Sequence, residues 1–460
     1  MKKITLLLFV AAQSIFAQQF QLDTTYGAAA NGFAEFGSQS STLTAPKFII
    51  QSDDTALYAT TRINGSNTIE NILVKYTASG VLDTAFATSG IYTFPGSDDN
   101  GPDIFVVNNK IMAFCSGATV SAIYRLNADG TLDTTFGSGG SVTLNEKIGN
   151  NAVVYDGSTF YVGVNNYAIY AYDTDGNLVT SFGNAGHINT SERIVELIKT
   201  NDGKFLNNNQ SEKLTKYNTD GSIDTSFATN GVYTMTETMI NNVTSVKQMT
   251  DGSLIVMKFV PLTFATEVIK LTPSGVQDSS FATNGVYTVS GHLLADAIEY
   301  NGKIVVGGGG VPVANAYLMG FNPTTGVLDA AFGNSGIYDE TTNTTAETAM
   351  KLYGNGATFY VGGRYTSGAN YTYYLAKYTV TNLATNALNI QDIRYNNPVT
   401  SVFEVQNITV KSIEIFDLQG KKIATSNTNT IDMSTFSQGV YIAKIADEKG
   451  NNANIKVIKK

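Results

Sequence analysis

A phrase repeated seven times at a spacing near fifty residues, a composition rich in β-formers and glycine, and an alternating C-terminal tail together predict an all-β chain. The predicted architecture is a seven-bladed β-propeller followed by a small C-terminal β-sandwich. Of the 460 residues, 43% are hydrophobic and only 15% charged, with Gly at 43 positions, Tyr at 25 and Phe at 24. Thr, Val, Ile, Tyr and Phe outweigh helix-favouring runs, the profile of many short strands joined by Gly and Asn turns.

The elements divide the chain into a leader at 1–17, a repeat body at 18–378, a linker at 379–389 and a terminal domain at 390–460. Met1 to Ala17 carries two lysines, then an apolar run from Leu6 to Ala12, then a short stretch ending in a small residue. That order is a secretory signal peptide, with cleavage expected between Ala17 and Gln18. The apolar run is shorter than the ~20 helical residues that span a bilayer, so the mature body is expected to be secreted rather than membrane-embedded.

The repeat opens as LDTTYG from Leu22, then LDTAFATSGIYTF from Leu82, LDTTFGSGGSVTL from Leu132 and LVTSFGNAGHINT from Leu178. It continues as IDTSFATNGVYTM from Ile223, QDSSFATNGVYTV from Gln277 and LDAAFGNSGIYDE from Leu328. The aromatic positions Tyr26, Phe86, Phe136, Phe182, Phe227, Phe281 and Phe332 are 60, 50, 46, 45, 54 and 51 residues apart. Such a period is too long for a leucine-rich or β-helix coil and accommodates about four strands. Strand-ending triplets recur as well, in Val74-Lys75-Tyr76, Tyr124-Arg125-Leu126, Thr215-Lys216-Tyr217, Ile269-Lys270-Leu271 and finally Leu375-Ala376-Lys377-Tyr378.

Each residue type in the phrase has a physical task. Asp23, Asp83, Asp133, Asp224, Asp278 and Asp329 can accept hydrogen bonds from their own downstream N–H groups and set a turn. The aromatic three positions on can fill the space between neighbouring sheets, burial worth about 1.5–3 kcal/mol per copy, and each Gly allows a left-handed backbone. Val179 replaces the aspartate in the fourth copy, and Tyr26 lies six rather than four residues before its glycine. A turn-former can be lost from one unit where a catalytic group could not. The phrase resembles the delta-60 repeat of bacteria over most of the chain, from about Phe20 to Tyr378, and that resemblance implies a β-propeller without assigned chemistry.

Past the linker come Asn397-Pro398-Val399, alternating segments at Ser412–Phe416 and Gly439–Ile445, and a basic terminal strand ending in Lys459 and Lys460. The opening Tyr395-Asn396-Asn397-Pro398, the segment Ile415 to Lys422 around Gly420, and Ser437-Gln438-Gly439-Val440-Tyr441-Ile442 resemble the type A C-terminal sorting domain of the type IX secretion system. The resemblance implies passage across the outer membrane through that machinery, removal of the domain, and release or anchoring of the body at the cell surface.

Little in the sequence points to catalysis. His187 and His292 are the two histidines, and no metalloprotease, paired-cysteine or nucleophile-elbow motif is present. Gly307 to Gly310 lacks the Lys-Ser/Thr of a phosphate loop and reads as close strand packing. Asp98, Asp99 and Asp103 in the loop Ser97–Asp103 could offer oxygens to calcium without EF-hand spacing, and a solvated acidic loop is the alternative. The Asp-Thr-Thr and Asp-Thr-Ala tripeptides also match a short O-glycosylation sequon, although the turn already explains them. Cys115, the single cysteine, follows an apolar stretch and is expected to be a buried thiol. Net charge is −9, and −11 without Lys2 and Lys3, which argues against nucleic acid as a partner.

The expectation is thus a monomeric, cofactor-free, non-catalytic binding scaffold whose variable loops recognise an extracellular glycan or protein. A secreted glycan-degrading enzyme and a structural cell-surface component are the alternatives, and fold alone does not separate them.

Overall fold

In the computed structural model, residues 18–39, 46–66, 68–95, 101–117, 120–209, 213–235, 243–310, 316–339, 347–367, 370–382, 393–418, 421–447 and 452–460 are described. They form strands and turns, and residues 1–17, expected from the sequence to be a signal peptide, lie outside them. The chain divides into a body, Gln18–Thr381, and a C-terminal unit, Asn382–Lys460.

The body is a succession of antiparallel meanders. Six are four-stranded; the first comprises Lys47–Ile50, Ala56–Ile63, Ile69–Tyr76 and Ile91–Phe94. The first strands of sheets two to six are Asp103–Val107, Ile148–Tyr155, Glu196–Lys199, Val243–Gln248 and His292–Tyr300. In each, the phrase lies between the third and fourth strands and carries the chain across to the edge. Sheet seven takes Glu347–Asn355, Thr358–Ser367 and Asn370–Asn382 from the end of the body, and two N-terminal segments, Gln18–Leu22 and Phe33–Gln39, pair with its third strand. The first phrase therefore completes the last sheet: the Asp23 amide donates to the Lys377 carbonyl at 2.8 Å, and Phe33 pairs with Ala376.

The phrase is a repeated knot of backbone hydrogen bonds. In the second copy the Asp83 amide donates to Lys75 O, Phe86 N to Asp83 O, Gly90 N to Phe86 O, and Lys75 N to Gly90 O. The same set recurs around Asp133, Asp224, Asp278 and Asp329. Around Val179 the backbone pattern is kept too, with its amide on Ala171 O at 2.8 Å, so the turn survives loss of the carboxylate. Gly32 N still reaches Tyr26 O at 2.9 Å, so the two extra residues of the first copy bulge outward without breaking the knot.

The aspartates do more than cap a turn. One oxygen accepts the amide two residues on, as Thr135 N to Asp133 Oδ1 at 3.2 Å, and often that residue's hydroxyl. The other takes a cation from the strand-ending triplet: Arg125 to Asp133 at 2.9 Å, Lys270 to Asp278 at 3.2 Å and Lys75 to Asp83 at 3.5 Å. Arg125, Lys75, Lys216 and Lys377 also lie over the rings of Phe136, Phe86, Phe227 and Tyr26 at 4.7, 5.8, 5.6 and 5.8 Å. Where Val179 replaces the aspartate, Ala171 replaces the cation. Losing both partners together avoids a buried unpaired charge.

Each phrase aromatic reaches the next sheet. A Cβ placed on Gly130, Gly176, Gly275 or Gly326 would come within 2.6–2.7 Å of the ring of Phe86, Phe136, Phe227 or Phe281, so these turns close on glycine because the ring occupies the space. Phe86, Phe136, Phe227, Phe281, Phe332 and Tyr26 are buried, whereas Phe182 is half-buried against Tyr161 and Phe205. Truncating Phe281 to Ala should therefore destabilise the body by about 3–5 kcal/mol in denaturant unfolding, and Phe182→Ala should cost clearly less.

Consecutive sheets share apolar clusters throughout. Met257 and Phe281 pack with Ile304 and Phe321 between sheets five and six, and Phe332 with Phe359 and Tyr374 between six and seven. Tyr360, Tyr373 and Tyr26 of sheet seven pack with Tyr58, Tyr76 and Ile72 of sheet one. This last seam is polar as well as aromatic: the buried hydroxyls of Tyr26, Tyr76 and Tyr360 have no hydrogen-bond partner among the described residues.

The expected linker starts later than 379. The strand Asn370–Asn382 runs through the first four of its residues, because Val380 is buried and its amide donates to Ala357 O at 2.7 Å.

The C-terminal unit holds a four-stranded antiparallel sheet of Lys422–Ser426, Val410–Phe416, Gly439–Asp447 and Asn452–Lys459, and a two-stranded pair, Val402–Glu404 with Thr430–Asp432. Phe403 and Ile431 from the pair enter one core with Ile413, Ile415, Ile445 and Val457 from the sheet. Alternation along Val410–Phe416 supplies those inward residues, as a half-exposed strand requires.

Candidate functional site

The first strand of every one of the seven sheets contributes to a single cavity of about 640 Å³ in the body. Its wall carries Lys47, Asp103, Glu196, Lys199, Lys247, Asp296 and Lys351, together with Asn150, Asn151 and Thr244 and the aromatic faces of Phe48, Phe105 and Tyr155. Leu197, Val246 and Ala297, next to Glu196, Lys247 and Asp296, pack into the inter-sheet cores, so the pleat sends those charges to the cavity side.

The acids sit deeper than the bases. Asp296 is only 3% exposed at its side chain, while Lys247 and Lys351, from the neighbouring sheets, are 29% and 37% exposed. Asp296 receives Lys247 at 3.2 Å on one oxygen, and Lys351 at 3.5 Å and the Leu352 amide at 2.9 Å on the other. Burial alone would raise its pKa, but the two ammoniums outweigh that and hold it below the ordinary value of 3.8. Lys351 is drawn up by Asp296, yet the adjacent Lys247 charge and burial leave it below an ordinary lysine. Glu196 is buried, accepts from Asn208 Nδ2 at 2.8 Å, and has its pKa pushed up by desolvation. Lys47 pairs with Asp103 at 2.6 Å, and Lys199 pairs with Asp156.

The other residues singled out from the sequence are dispersed. His187 and His292 lie in sheets three and six, stacked on Tyr170 and Tyr317 with centroids 5.2 and 3.8 Å apart. His292 Nδ1 is 2.9 Å from Ser290 O. Asp98 and Asp99 lie outside the described residues; Asp103 is taken up by Lys47 on the cavity wall. Among the described residues no group of three or more His, Cys, Asp or Glu side chains could hold a metal ion. Cys115 is a buried free thiol whose pKa is raised by desolvation. A Cβ on Gly308 would fall 2.0 Å from Leu293 O, so the glycine run serves close approach of adjacent strands.

In the C-terminal unit the sequence-marked residues converge on the last strand. Asn397 donates through Nδ2 to Lys456 O at 2.9 Å and accepts Ile458 N at 2.9 Å; Pro398 follows it through a cis peptide. Val399 then bridges to Lys459, and the Lys460 amide donates to Val399 O at 2.9 Å. Gly439 pairs with Lys459 along the penultimate strand, and Tyr441 donates its hydroxyl to Ser437 O at 2.9 Å while packing on Phe436. Gly420 lies outside the described residues.

The cavity charges were missed because they obey no repeat. Lys47, Glu196, Lys247, Asp296 and Lys351 occupy different offsets from their phrases. The available signal was a charge set directly beside apolar residues in a first strand, as in Val246-Lys247 or Ala295-Asp296-Ala297.

Two stretches of the body, residues 112–136 and 202–227, match the β-propeller domain of unknown function DUF5122, and residues 394–460 match a secretion system C-terminal sorting domain. No curated protein matches the chain. Among solved structures, the computationally designed Ika8 protein is similar over 91% of this chain and 98% of its own, at 8% identity and a TM-score of 0.38. BamB from Moraxella catarrhalis is similar over 90% and 99%, at 9% identity and 0.34. The WD40 domain of Toxoplasma gondii coronin is similar over 79% and 85%, at 10% identity and 0.44. The C-terminal match indicates export by the type IX secretion system and delivery to the cell surface or beyond. Repeat, meander sheets and tail motif converge: the chain is a β-propeller protein bearing a type IX secretion system C-terminal sorting domain.

Proposed function

We propose that this protein is a non-catalytic binding scaffold displayed outside the cell, built as a closed seven-bladed propeller whose central channel receives the ligand. A signal peptide at 1–17 starts the export, and a C-terminal β-sandwich engages the type IX machinery. The carrying observation is the single cavity walled by the first strand of all seven sheets, since such a channel presents side chains from every blade to one ligand. Clusters shared between each pair of consecutive sheets, including seven with one, support closure of the ring.

A binding role rather than a hydrolytic one is supported by the state of the channel acids. Asp103 and Asp296 are held in ion pairs with Lys47, Lys247 and Lys351, which suits fixed electrostatics rather than proton transfer to a substrate. The body acts as a monomer toward a glycan or protein partner.

Two measurements test the reading. Deleting residues 390–460 should trap the protein in the periplasm, and its appearance at the cell surface despite the deletion would refute the sorting role. On a glycan and surface-protein array the body should be retained saturably without product; turnover of a glycan would make it an enzyme, and silence a structural component.

A further inference from the structure

We propose that the channel selects a carboxylate-bearing sugar, a uronic acid, held through Lys247 and Lys351. This rests on the binding reading above and adds the ligand class.

The argument is one of charge placement. The chain as a whole is acidic, at −9, yet the lumen presents ammoniums. Lys47 and Lys199 are engaged by Asp103 and Asp156. Lys247 and Lys351 remain, and both lean on one carboxylate, Asp296, which is sunk in the wall behind them. Part of that carboxylate's capacity already goes to the Leu352 amide. Two partly exposed ammoniums, on the sheets either side of Asp296, thus lean on its one buried carboxylate and face a cavity of about 640 Å³. Glu196, the other nearby acid, is buried and its carboxylate is held by Asn208 at 2.8 Å; desolvation raises its pKa against the opposing pull of Lys247 and Lys351.

A second carboxylate placed in the lumen would complete two ammonium–carboxylate pairs, with charge-assisted hydrogen bonds from both lysines. The rest of the wall narrows the class from anion to acidic sugar. Asn150, Asn151 and Thr244 offer neutral donors and acceptors that match ring hydroxyls, and Tyr155 offers an aromatic face on the same strand as the two asparagines. A phosphate dianion would bring more negative charge than the two lysines, already sharing Asp296, can balance, and a purely apolar ligand would strand the charges.

The test is calorimetric titration of the mature full-length protein with sodium D-glucuronate, methyl D-glucoside, sodium acetate and inorganic phosphate. Glucuronate should bind saturably at one site, and at least tenfold more tightly than each of the other three. Lys351→Gln and Lys247→Gln should each weaken it at least tenfold, Lys351→Arg should restore it, and thermal melts should show the variants folded. Equal affinity for glucuronate and methyl glucoside, or indifference to Lys351→Gln in a folded protein, overturns the proposal. So does phosphate binding as tightly as glucuronate, which would mark a general anion site. If glucuronate gives no heat while the array finds another ligand, the uronate assignment falls and the binding scaffold stands; if the array is silent too, both fall.

Discussion

Removing Gln18–Gln39 is expected to abolish cooperative unfolding of the body, although it deletes neither a whole repeat nor any cavity residue. The two segments in that stretch are the edge of sheet seven: both pair with its third strand, Phe33–Gln39 along it from Tyr371 to Ala376, and between them they bring Tyr26 into the seam with sheet one. Without them that strand has an open edge, and the ring of Tyr360 loses Tyr26, 6.1 Å away. The intact seam has little stability to spare, because the buried hydroxyls of Tyr26, Tyr76 and Tyr360 lack partners among the described residues, each at a desolvation penalty of about 1–3 kcal/mol if unsatisfied. Chemical unfolding followed by tyrosine fluorescence should give a sharp single transition for the intact body and a broad, early one for the truncation. A permuted chain that begins at Pro46 and carries Gln18–Gln39 after Asn382, joined by a short turn, should recover the sharp transition, since it restores the order of the other six sheets. If the truncated body unfolds as late and as sharply as the intact one, the N-terminal strands are not what joins sheet seven to sheet one.

That offset between repeat and sheet explains how far the sequence could be read. The phrase was legible because its physics is local: an aspartate caps the turn, a glycine takes a positive φ such as +90° at Gly90, and a ring buries beside it. Seven similar phrases, however, carry no mark of which sheet each completes. The copy at Leu22 looks like the start of a unit, and only pairing with Lys377 and Ala376 shows that it finishes the last one. The cations Lys75, Arg125 and Lys270 stood in view within Val74-Lys75-Tyr76 and its relatives, but each partner lies eight residues away across a turn, as Lys75 and Asp83 do. The joint loss of both at Ala171 and Val179 was the trace of that coupling. Lys247, Asp296 and Lys351 were illegible for a different reason, because three sheets, with these groups 49 and 55 residues apart in sequence, must assemble before they meet. In the tail, by contrast, Asn397, Gly439 and Lys459 belong to adjacent segments of one small sheet, and their motifs were readable as a set.

Replacing Asp296 by Asn is the substitution with the largest expected cost on the cavity wall. The carboxylate is nearly inaccessible and answers two ammoniums from the flanking sheets, so its loss leaves like charges facing each other across sheet six. Breaking a buried pair typically costs about 3–5 kcal/mol; because both lysines are about a third exposed, solvent screens them and about 2–3 kcal/mol is expected at neutral pH. The pH dependence distinguishes this charge effect from a packing defect. In the folded protein the Asp296 pKa lies below 3.8, its ordinary value, so the folded state binds the proton less readily than the unfolded chain does. The stability it supplies is therefore fully present above pH ~3.8 and is lost as pH falls below it through the folded-state value. Glu196 acts in the opposite sense, since its raised pKa gives a contribution present in acid and lost as pH rises, but it is common to both proteins and cancels in the difference. The stability gap between the native chain and Asp296→Asn, measured by urea unfolding, should consequently be wide at pH 7 and narrow once the medium is acid enough to protonate Asp296. A gap that stays constant with pH would mean that the asparagine merely fits poorly, and that the lysines draw their compensation from elsewhere. The triple change Asp296→Leu, Lys247→Met, Lys351→Met should then discriminate further: with all three charges removed, stability should return to within about 1 kcal/mol of the native chain, because apolar groups of similar volume replace a buried ionic triad without leaving any member unpaired.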